Sequence, residues 1–339
     1  GRPRFSMGWT HLFQMLDDRG LASLARVVGV VEPFFLSDAG SQAPGAEEFQ
    51  AYVAEHPGIP FVASCSELPE PKRPRVAVIA TRTKDLPVMF EEAILVGKCS
   101  HAYIEKPGAT EAAELERMRA LAEKHGAGAV VGYARNGSAF AVGAHDRKRE
   151  EPDAEVTLLH FNDFARTEEA LSECFSRNSE GFMKNTLCHD FAIAVHLYGL
   201  RADSLCDLKV DAKTELATHG GLSDFVTAAF SLRPAPGERP LHFWGTRCAP
   251  ENVMACEVTL PSGKRERFSL GNPPPPPCPC DGLNTILATQ YELYINGKRN
   301  FLESIVAGHG KTYLLSLSDS AEVLRIAEKA NTLVRAALG

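Results

Sequence analysis

The chain has 339 residues, of which 44% are hydrophobic and 23% charged, and its formal net charge is −7. This length fits two domains, and no apolar run approaches the ~18 residues of a membrane span or opens the chain as a secretion signal. The basic residues are scattered, which argues against a phosphate-backbone partner. We therefore predict a cytoplasmic protein that binds neither nucleic acid nor membrane.

Nine cysteines occur without a CxxC pair or a regular spacing, which is typical of reduced thiols in the cytosol. The alternative is a metal-binding pair formed by Cys278 and Cys280, which flank one proline. No second Cys/His pair lies nearby at zinc spacing, which argues against this alternative. We predict no metal site. The run Pro273–Pro277 predicts a stiff surface loop, with a ligand for an SH3-type domain as the alternative.

Strand and helix patterns alternate through the first part of the chain. In chain order we predict a helix over 10–24, strands over 27–31, 61–63 and 76–80, a helix over 86–96, a strand over 102–104, a helix over 110–124 and a strand over 129–133. Continuous apolar strands between amphipathic helices are typical of a parallel sheet covered on both faces. We predict that residues 1–134 form a doubly wound, Rossmann-like α/β domain.

The pattern changes after residue 134. Short strands are predicted over 155–161, 205–210, 224–232, 241–245 and 254–260, and helices over 187–200, 283–295 and 319–338. Strands joined by turn-rich segments, mostly without helices between them, are typical of an antiparallel sheet. We predict that residues 135–339 form an α+β domain with a mostly antiparallel, open sheet, in which the last helix could pack back on the first domain.

A dinucleotide-binding domain needs a glycine-rich turn after its first strand, because backbone N–H groups approach the pyrophosphate there. The sequence offers Gly1 and then Gly8, which precedes His11 and an apolar helix, and this is similar to the end of a GxGxxGxxH fingerprint. In this interpretation the first strand and the first glycine lie upstream of residue 1. Two ordinary turn glycines are the alternative.

Glu32 ends the predicted strand over 27–31. An acidic side chain at that place typically accepts hydrogen bonds from the ribose hydroxyls of the adenosine, which favours NAD over NADP. The alternative is a strand-end charge that faces solvent. We predict NAD or NADP as the cofactor, with NAD favoured.

Glu105-Lys106-Pro107 directly follows the predicted strand over 102–104. A lysine at the carboxyl end of a central strand lies at the edge of the sheet where ligands bind, and it can donate to a substrate hydroxyl. Together with the strand–helix–strand pattern around it, the tripeptide resembles the Gfo/Idh/MocA family, which comprises glucose–fructose oxidoreductase, inositol dehydrogenase and their relatives.

The second half of the chain carries a pattern similar to the same family. Asn185 and His189 are four residues apart and Gly199 follows, which resembles the family's D-x-x-x-H helix with its terminal glycine. Positions i and i+4 share one helix face, so we expect Asn185 and His189 to point together at the substrate. A histidine suits a proton acceptor because its ordinary pKa lies near neutral pH. A packed helical histidine is the alternative.

The resemblance implies an NAD(P)-dependent oxidoreductase that transfers a hydride between a nicotinamide and a sugar or polyol, in a homodimer or homotetramer. It implies that Lys106 and His189 face each other across a cleft, with Lys106 orienting the substrate oxygen and His189 taking its proton. The residues implied at the cofactor are Gly1, Gly8, Glu32, Thr81, Glu105, Lys106 and Pro107. Those implied at the substrate are Lys106, Arg135, Asn185 and His189, with Lys106, Asn185 and His189 as the catalytic residues.

Three positions depart from the family pattern. Asn185 and Ala192 stand where the family has aspartates, and Arg135 falls one place early. An asparagine orients a neighbour but accepts no proton, so the proton relay is weakened. Asp190 lies about 100° around a helix from His189, which argues against it as a replacement. The alternative function is a non-catalytic, regulatory member of the same fold that binds a dinucleotide or a sugar.

Overall fold

The computed structural model describes residues 6–16, 21–203, 205–270, 285–308 and 312–339. The chain divides into two compact units, one of Gly1–Ala134 with Pro276–Leu317 and one of Arg135–Pro275 with Ser318–Gly339. The sequence patterns assigned all residues after 134 to the second domain. The segment Pro276–Leu317 instead clusters with the first unit, and most of the last helix clusters with the second.

The helices are, in chain order, α1 (Met7–Leu16), α2 (Ala46–Glu55), α3 (Leu86–Leu95), α4 (Ala112–His125), α5 (Ala139–Glu150), α6 (Glu168–Arg177), α7 (Phe182–Asn185), α8 (Cys188–Tyr198), α9 (Thr285–Ala307) and α10 (Leu317–Ala337). The strands are β1 (Val30–Val31), β2 (Phe61–Val62), β3 (Val76–Ile79), β4 (His101–Ile104), β5 (Gly128–Val131), β6 (Glu155–Asp163), β7 (Cys206–Val210), β8 (Glu215–His219), β9 (Leu222–Arg233), β10 (Leu241–Thr246), β11 (Cys248–Thr259), β12 (Arg265–Ser269) and β13 (Leu315–Ser316). The sequence patterns do not predict α2, α5, α6, β8 or β12.

The first unit contains a four-stranded sheet in the order β13–β5–β4–β3. The strands β3, β4 and β5 are parallel, with Ile104 opposite both Ile79 and Val131, and β13 adds antiparallel to β5. The segment 102–104 of β4 is completely buried, as expected for a strand with neighbours on both sides and helices on both faces. This sheet confirms the predicted Rossmann-like fold.

The strands β1 and β2 form a separate parallel pair, with Val30 opposite Phe61. In the doubly wound order one parallel strand lies between the positions taken here by β1 and β3, and no strand of the described residues occupies that place. Val78 of β3 has 37% of its surface exposed, which is high for a valine in a parallel strand.

The helices α3 and α4 pack against the parallel strands and against each other. A capping box between Glu111 and Glu114 begins α4, and Gly126 ends it in the left-handed conformation that suits glycine (φ 63°). Its buried side chains, among them Leu115 and Met118, recur at helical spacing. The apolar positions of the amphipathic pattern predicted over 110–124 therefore form the helix face that covers the sheet.

The helix α9 extends the core of the first unit. It contributes Tyr291, Ile295 and Leu302 to an apolar cluster that also contains Leu21. These positions recur at helical spacing, so one stripe of α9 faces the core. Lys298 lies on the same stripe, and only 2% of its surface is exposed.

The second unit is built on a seven-stranded sheet in the order β12–β11–β6–β10–β9–β7, with β8 paired to β9. The strands β6 and β10 are parallel neighbours and the other pairs are antiparallel, which confirms the predicted mostly antiparallel sheet. Along β6 the alternate residues Val156, Leu158 and His160 are buried, and α8 and α5 contact this strand. His160 thus takes an inward position in a row that begins with Val156 and Leu158 and continues with the buried Asn162.

Asn185 and His189 lie on two helices. Asn185 is the last residue of α7 and His189 is the second residue of α8. Between them, the N–H groups of Thr186 and Leu187 both donate to the carbonyl of Phe182, so the chain turns before α8 begins. The prediction that Asn185 and His189 share the face of one helix is therefore wrong.

Some predictions fall on residues outside the described ranges. These are Gly1, the run Pro273–Pro277, and the pair Cys278 and Cys280. Within those ranges, no helix has both the length and the apolar character needed to cross a bilayer.

Candidate functional site

Lys106 lies in the turn that follows β4. The Glu105 N–H donates to the Ile79 carbonyl (2.9 Å), and the Gly108 N–H donates to the Glu105 carbonyl (3.0 Å). The Lys106–Pro107 peptide bond is cis, Pro107 is buried and Lys106 is half-buried. The turn therefore places Lys106 at the carboxyl end of the central parallel strand.

The side chain of Glu105 points into the core. Its Oε1 lies 2.8 Å from His11 Nε2, and Lys298 Nζ donates to His11 Nδ1 over 2.9 Å. We call Glu105, His11 and Lys298 the first histidine row. At most 5% of the surface of each of the three residues is exposed, so the Glu105 carboxylate is held by protein groups.

Burial dominates the protonation of the first histidine row. It lowers the pKa of His11, and the charge of Lys298 lowers it further, against the raising effect of Glu105. Burial also lowers the pKa of Lys298 to about 7, although Glu105 acts to raise it. His11 is therefore the neutral member, and Lys298 is a cation that can lose its proton close to neutral pH.

Gly8 and Thr81 come together at the end of β3. Gly8 is the second residue of α1 and not part of a turn before it, and a Cβ at this position would lie 3.4 Å from the Ala80 carbonyl oxygen. Thr81 follows Ala80 and is exposed. Because helix α1 approaches the strand end closely at Gly8, this position suits a glycine.

Glu32 directly follows β1. Its N–H donates to the Val62 carbonyl (2.9 Å), and its Oε1 accepts from the Phe34 N–H (3.2 Å) and lies 3.5 Å from the Phe35 nitrogen. One carboxylate oxygen thus stabilises the turn after the strand. The ribose contact expected of Glu32 stays a prediction.

In the second unit, Arg135 and Asp190 are joined through a histidine. His160 Nδ1 lies 3.0 Å from Asp190 Oδ2, and Arg135 Nη1 lies 3.2 Å from His160 Nδ1 and 3.3 Å from its Nε2. A proton on Nδ1 donates to the carboxylate and leaves Nε2 as the acceptor for the guanidinium. We call Asp190, His160 and Arg135 the second histidine row; all three residues are buried.

His189 lies beside the second histidine row. Its ring centroid is 6.0 Å from that of His160, and its neighbour in the chain, Asp190, bonds to the same histidine. His189 is buried and Asn185 is half-buried. The structure therefore brings His189 and Arg135 to one histidine, while Asn185 ends the preceding helix.

Sequence reasoning missed His160 and Lys298 and set Asp190 aside. Each has a signal in the sequence. His160 interrupts the apolar alternation of β6, and Lys298 interrupts the apolar stripe of α9. A polar side chain at a position that the periodicity assigns to the core needs a buried partner, which is the reason to search for one.

The carboxyl ends of β3 and β4 lie side by side, since Ile79 pairs with Ile104. In a doubly wound sheet this edge binds nucleotides. Thr81 and Lys106 follow these two strands, so the edge can hold a dinucleotide. Within the described ranges, no group of three or more His, Cys, Asp or Glu side chains is placed to hold a metal ion.

The chain is a two-unit α/β protein, with one Rossmann-like unit and a second unit built on a mostly antiparallel sheet. Residues 39–133 match the Gfo/Idh/MocA model, described as an oxidoreductase family with an NAD-binding Rossmann fold. The matched segment contains Glu105-Lys106-Pro107, and it confirms the resemblance found in the sequence. No curated protein shows significant sequence similarity to the chain.

Solved structures share the fold over nearly the whole chain. A myo-inositol dehydrogenase from Corynebacterium glutamicum is 14% identical with a TM-score of 0.70, covering 98% of this chain and 94% of that one. The myo-inositol 2-dehydrogenase from Lactobacillus plantarum is 13% identical with a TM-score of 0.68, covering 97% of this chain and 94% of that one. The WlbA (WbpB) dehydrogenase from Thermus thermophilus, in complex with NAD and alpha-ketoglutarate, is 16% identical with a TM-score of 0.58, covering 96% of this chain and 91% of that one.

Proposed function

We propose that the chain is an NAD-dependent oxidoreductase that acts on a hydroxyl group of a sugar, a polyol or a related compound. The observation that carries this proposal is Lys106 at the carboxyl end of the central parallel strand, within the segment that matches an NAD-binding oxidoreductase family. Structural similarity to two myo-inositol dehydrogenases supports a polyol as the substrate.

In this proposal NAD supplies the hydride acceptor, and the chain supplies binding, orientation and proton transfer. Lys106 donates to the substrate oxygen and stabilises negative charge that develops on it. His189 accepts the hydroxyl proton. Asn185 and Arg135 orient the substrate. The contact of Asp190 with His160 holds the start of α8, and His189 projects from that part of the helix.

Within the described ranges, the residues proposed to hold the cofactor lie next to the carboxyl ends of β1, β3 and β4. Gly8, Thr81 and the turn Glu105-Lys106-Pro107 line the ends of β3 and β4, and Gly1 stays part of the proposal. Glu32 offers a carboxylate at the end of β1, which suits ribose hydroxyls and repels a 2′-phosphate. NAD is therefore proposed ahead of NADP.

We also propose a cytoplasmic homodimer or homotetramer. Buried free thiols such as Cys99, Cys174 and Cys256 support a reducing compartment. The oligomer rests on the family resemblance, and light scattering of the purified protein tests it.

The first test is a titration of the full-length protein with NADH and with NADPH. We expect micromolar NADH affinity, which Lys106→Ala and Glu32→Ala each weaken by about 10-fold or more, because each loses a charge-assisted hydrogen bond. Lys124→Ala and Glu70→Ala, on exposed residues, are the matched controls and should leave the affinity unchanged. A folded protein that binds neither cofactor would contradict the proposal.

A regulatory protein without turnover is the second candidate, favoured by Asn185 and Ala192 in place of aspartates. Assays with NAD and a polyol panel that includes myo-inositol separate the two. In an enzyme, His189→Asn reduces turnover by about 100-fold or more, since it removes the proton acceptor. His196→Asn, on the same helix but outside the proposed site, is its control. Binding of NADH without turnover of any polyol favours the regulatory protein.

A further inference from the structure

The backbone around Glu105 is fixed on both sides, and its side chain leaves the turn toward the core. The N–H bonds to Ile79 and the carbonyl bonds to Gly108, while 5% of the residue surface is exposed. An ionised carboxylate so deep in the protein is costly unless it is paired. The groups that pair with the Glu105 carboxylate therefore fix the position of the turn that carries Lys106.

His11 is the direct partner of that carboxylate. With a proton on Nε2 it donates to Glu105 Oε1, and its Nδ1 then accepts from Lys298 Nζ. This single tautomer satisfies both contacts. Glu105 therefore reaches its cation through a neutral imidazole, and α1, β4 and α9 are joined by one row of side chains.

Lys298 is enclosed by polar atoms and aromatic faces. Its Nζ also donates to Gln14 Oε1, and it lies 5.7 Å from the ring centroid of Tyr103 and 5.9 Å from that of Tyr294. These rings also face His11, at centroid distances of 5.5 and 6.1 Å. The charged and titratable groups around His11 are thus Tyr103 from β4, Glu105 directly after it, and Tyr294 and Lys298 from α9.

We propose that His11 and Lys298 are positioning residues, which hold the Glu105 carboxylate in the core and thereby fix the Glu105-Lys106-Pro107 turn. That this positioning serves catalysis rests on the proposed function, in which Lys106 acts on the substrate. The row itself is a property of the folded chain. Neither His11 nor Lys298 needs to contact a ligand for this role.

The test begins with Lys298→Met, which keeps the length of the side chain and removes its charge. Without the Lys298 cation, the Glu105 carboxylate draws a proton to His11, and a charged imidazole pairs with it directly. We expect the titration of His11, followed by NMR with ¹³C-labelled histidine, to move to higher pH, because the lowering effect of the Lys298 charge is removed. The exposed His196 of the second unit is the internal reference and should not move.

A second readout reports the turn itself without any cofactor. Reductive ¹³C-methylation labels accessible lysines, and the resonance of Lys106 is assigned by its loss in Lys106→Ala. We expect this resonance to shift in Lys298→Met and to return in Lys298→Arg, which restores the cation. Lys329→Met, which removes a partly buried lysine of the second unit, should leave it in place.

A folded Lys298→Met protein in which the His11 titration or the Lys106 resonance is unchanged would overturn the proposal. If this variant does not fold, Glu105→Gln carries the test, because it keeps the shape of the side chain and removes its charge. The Lys106 resonance must then shift in Glu105→Gln. NADH titration of the unaltered protein is measured separately, so a failure of the proposed function is distinguished from a failure of the row.

Discussion

The two histidine rows have the same order of groups and differ in the cation. Each places a buried histidine between a carboxylate and a cation, and each carboxylate is the chain neighbour of a proposed catalytic residue: Glu105 of Lys106, and Asp190 of His189. The first row ends in a lysine, whose pKa burial lowers to about 7. The second ends in an arginine, which does not lose its proton in proteins.

This difference means that the cation of the first row can lose its charge near neutral pH, whereas the cation of the second row cannot. A buried lysine can become neutral when its partner is lost or when the pH rises, whereas a buried arginine keeps its charge and needs a carboxylate under all conditions. The cation of the second row is therefore permanent, and the cation of the first row is not.

The largest effect that tests this comparison is the loss of each carboxylate. We expect Asp190→Asn to lower the free energy of unfolding by about 3–5 kcal/mol, because Arg135 stays charged in the core. At pH 8 Glu105→Gln should cost under about 2 kcal/mol, since Lys298 can give up its proton. Urea unfolding measures both, with the exposed Asp38→Asn as the control. Equal losses in the two variants would show that the two cations behave alike.

A smaller effect is expected in the pH dependence of stability. The pKa of Lys298 is about 7 in the folded state, and its ordinary value is 10.5. Between pH 7 and pH 10.5, Lys298 therefore carries a proton in the unfolded chain and has lost it in the folded protein. Stability then rises with pH by up to ~1.4 kcal/mol per pH unit for this one group, and the cost of burying the charge is fully present below about pH 7.

Urea unfolding from pH 7 to 9.5 measures this slope as the difference between the unaltered protein and Lys298→Met. The variant should have the flatter dependence, and Lys329→Met should keep the steeper one. A slope that does not change in Lys298→Met would mean that Lys298 keeps its proton in the folded state, as Arg135 does.

The smallest effect concerns the aromatic wall of the first row. Tyr103 Oη is buried and has no hydrogen-bond partner among the described residues, so Tyr103→Phe should leave stability unchanged or raise it by up to about 1 kcal/mol. The ring that faces Lys298 and His11 is kept, and the His11 titration should not move. Thermal unfolding and the histidine titration check this, and a clear loss of stability would reveal a role for the hydroxyl.

The sequence predicts the local elements around these rows better than the rows. The strands β3, β4 and β5 and the helices α3 and α4 were expected because their apolar periodicity is local and regular. The helices α5 and α6 were missed because α5 is polar over its second half and α6 over most of its length, and both are stabilised by packing on the second sheet.

The rows could not be predicted because their members are distant in the chain. His11 and Glu105 are 94 residues apart, Lys298 and His11 are 287 apart, and His160 and Asp190 are 30 apart. Asp190 was set aside on helix geometry relative to His189, while its partner lies on β6. Periodicity identifies a polar residue in a core position, but tertiary packing chooses its partner.

The assignment of α9 to the first unit has a consequence for dissecting the protein. A fragment that ends at Ala134 would leave Tyr103 without Phe301 and Leu314, with which it shares an apolar cluster, and would leave the Glu105 carboxylate without Lys298. Such a fragment lacks part of its own core. A piece that keeps the whole core around the parallel sheet is thus discontinuous in sequence, because it contains residues 276–317 as well as the residues up to Ala134.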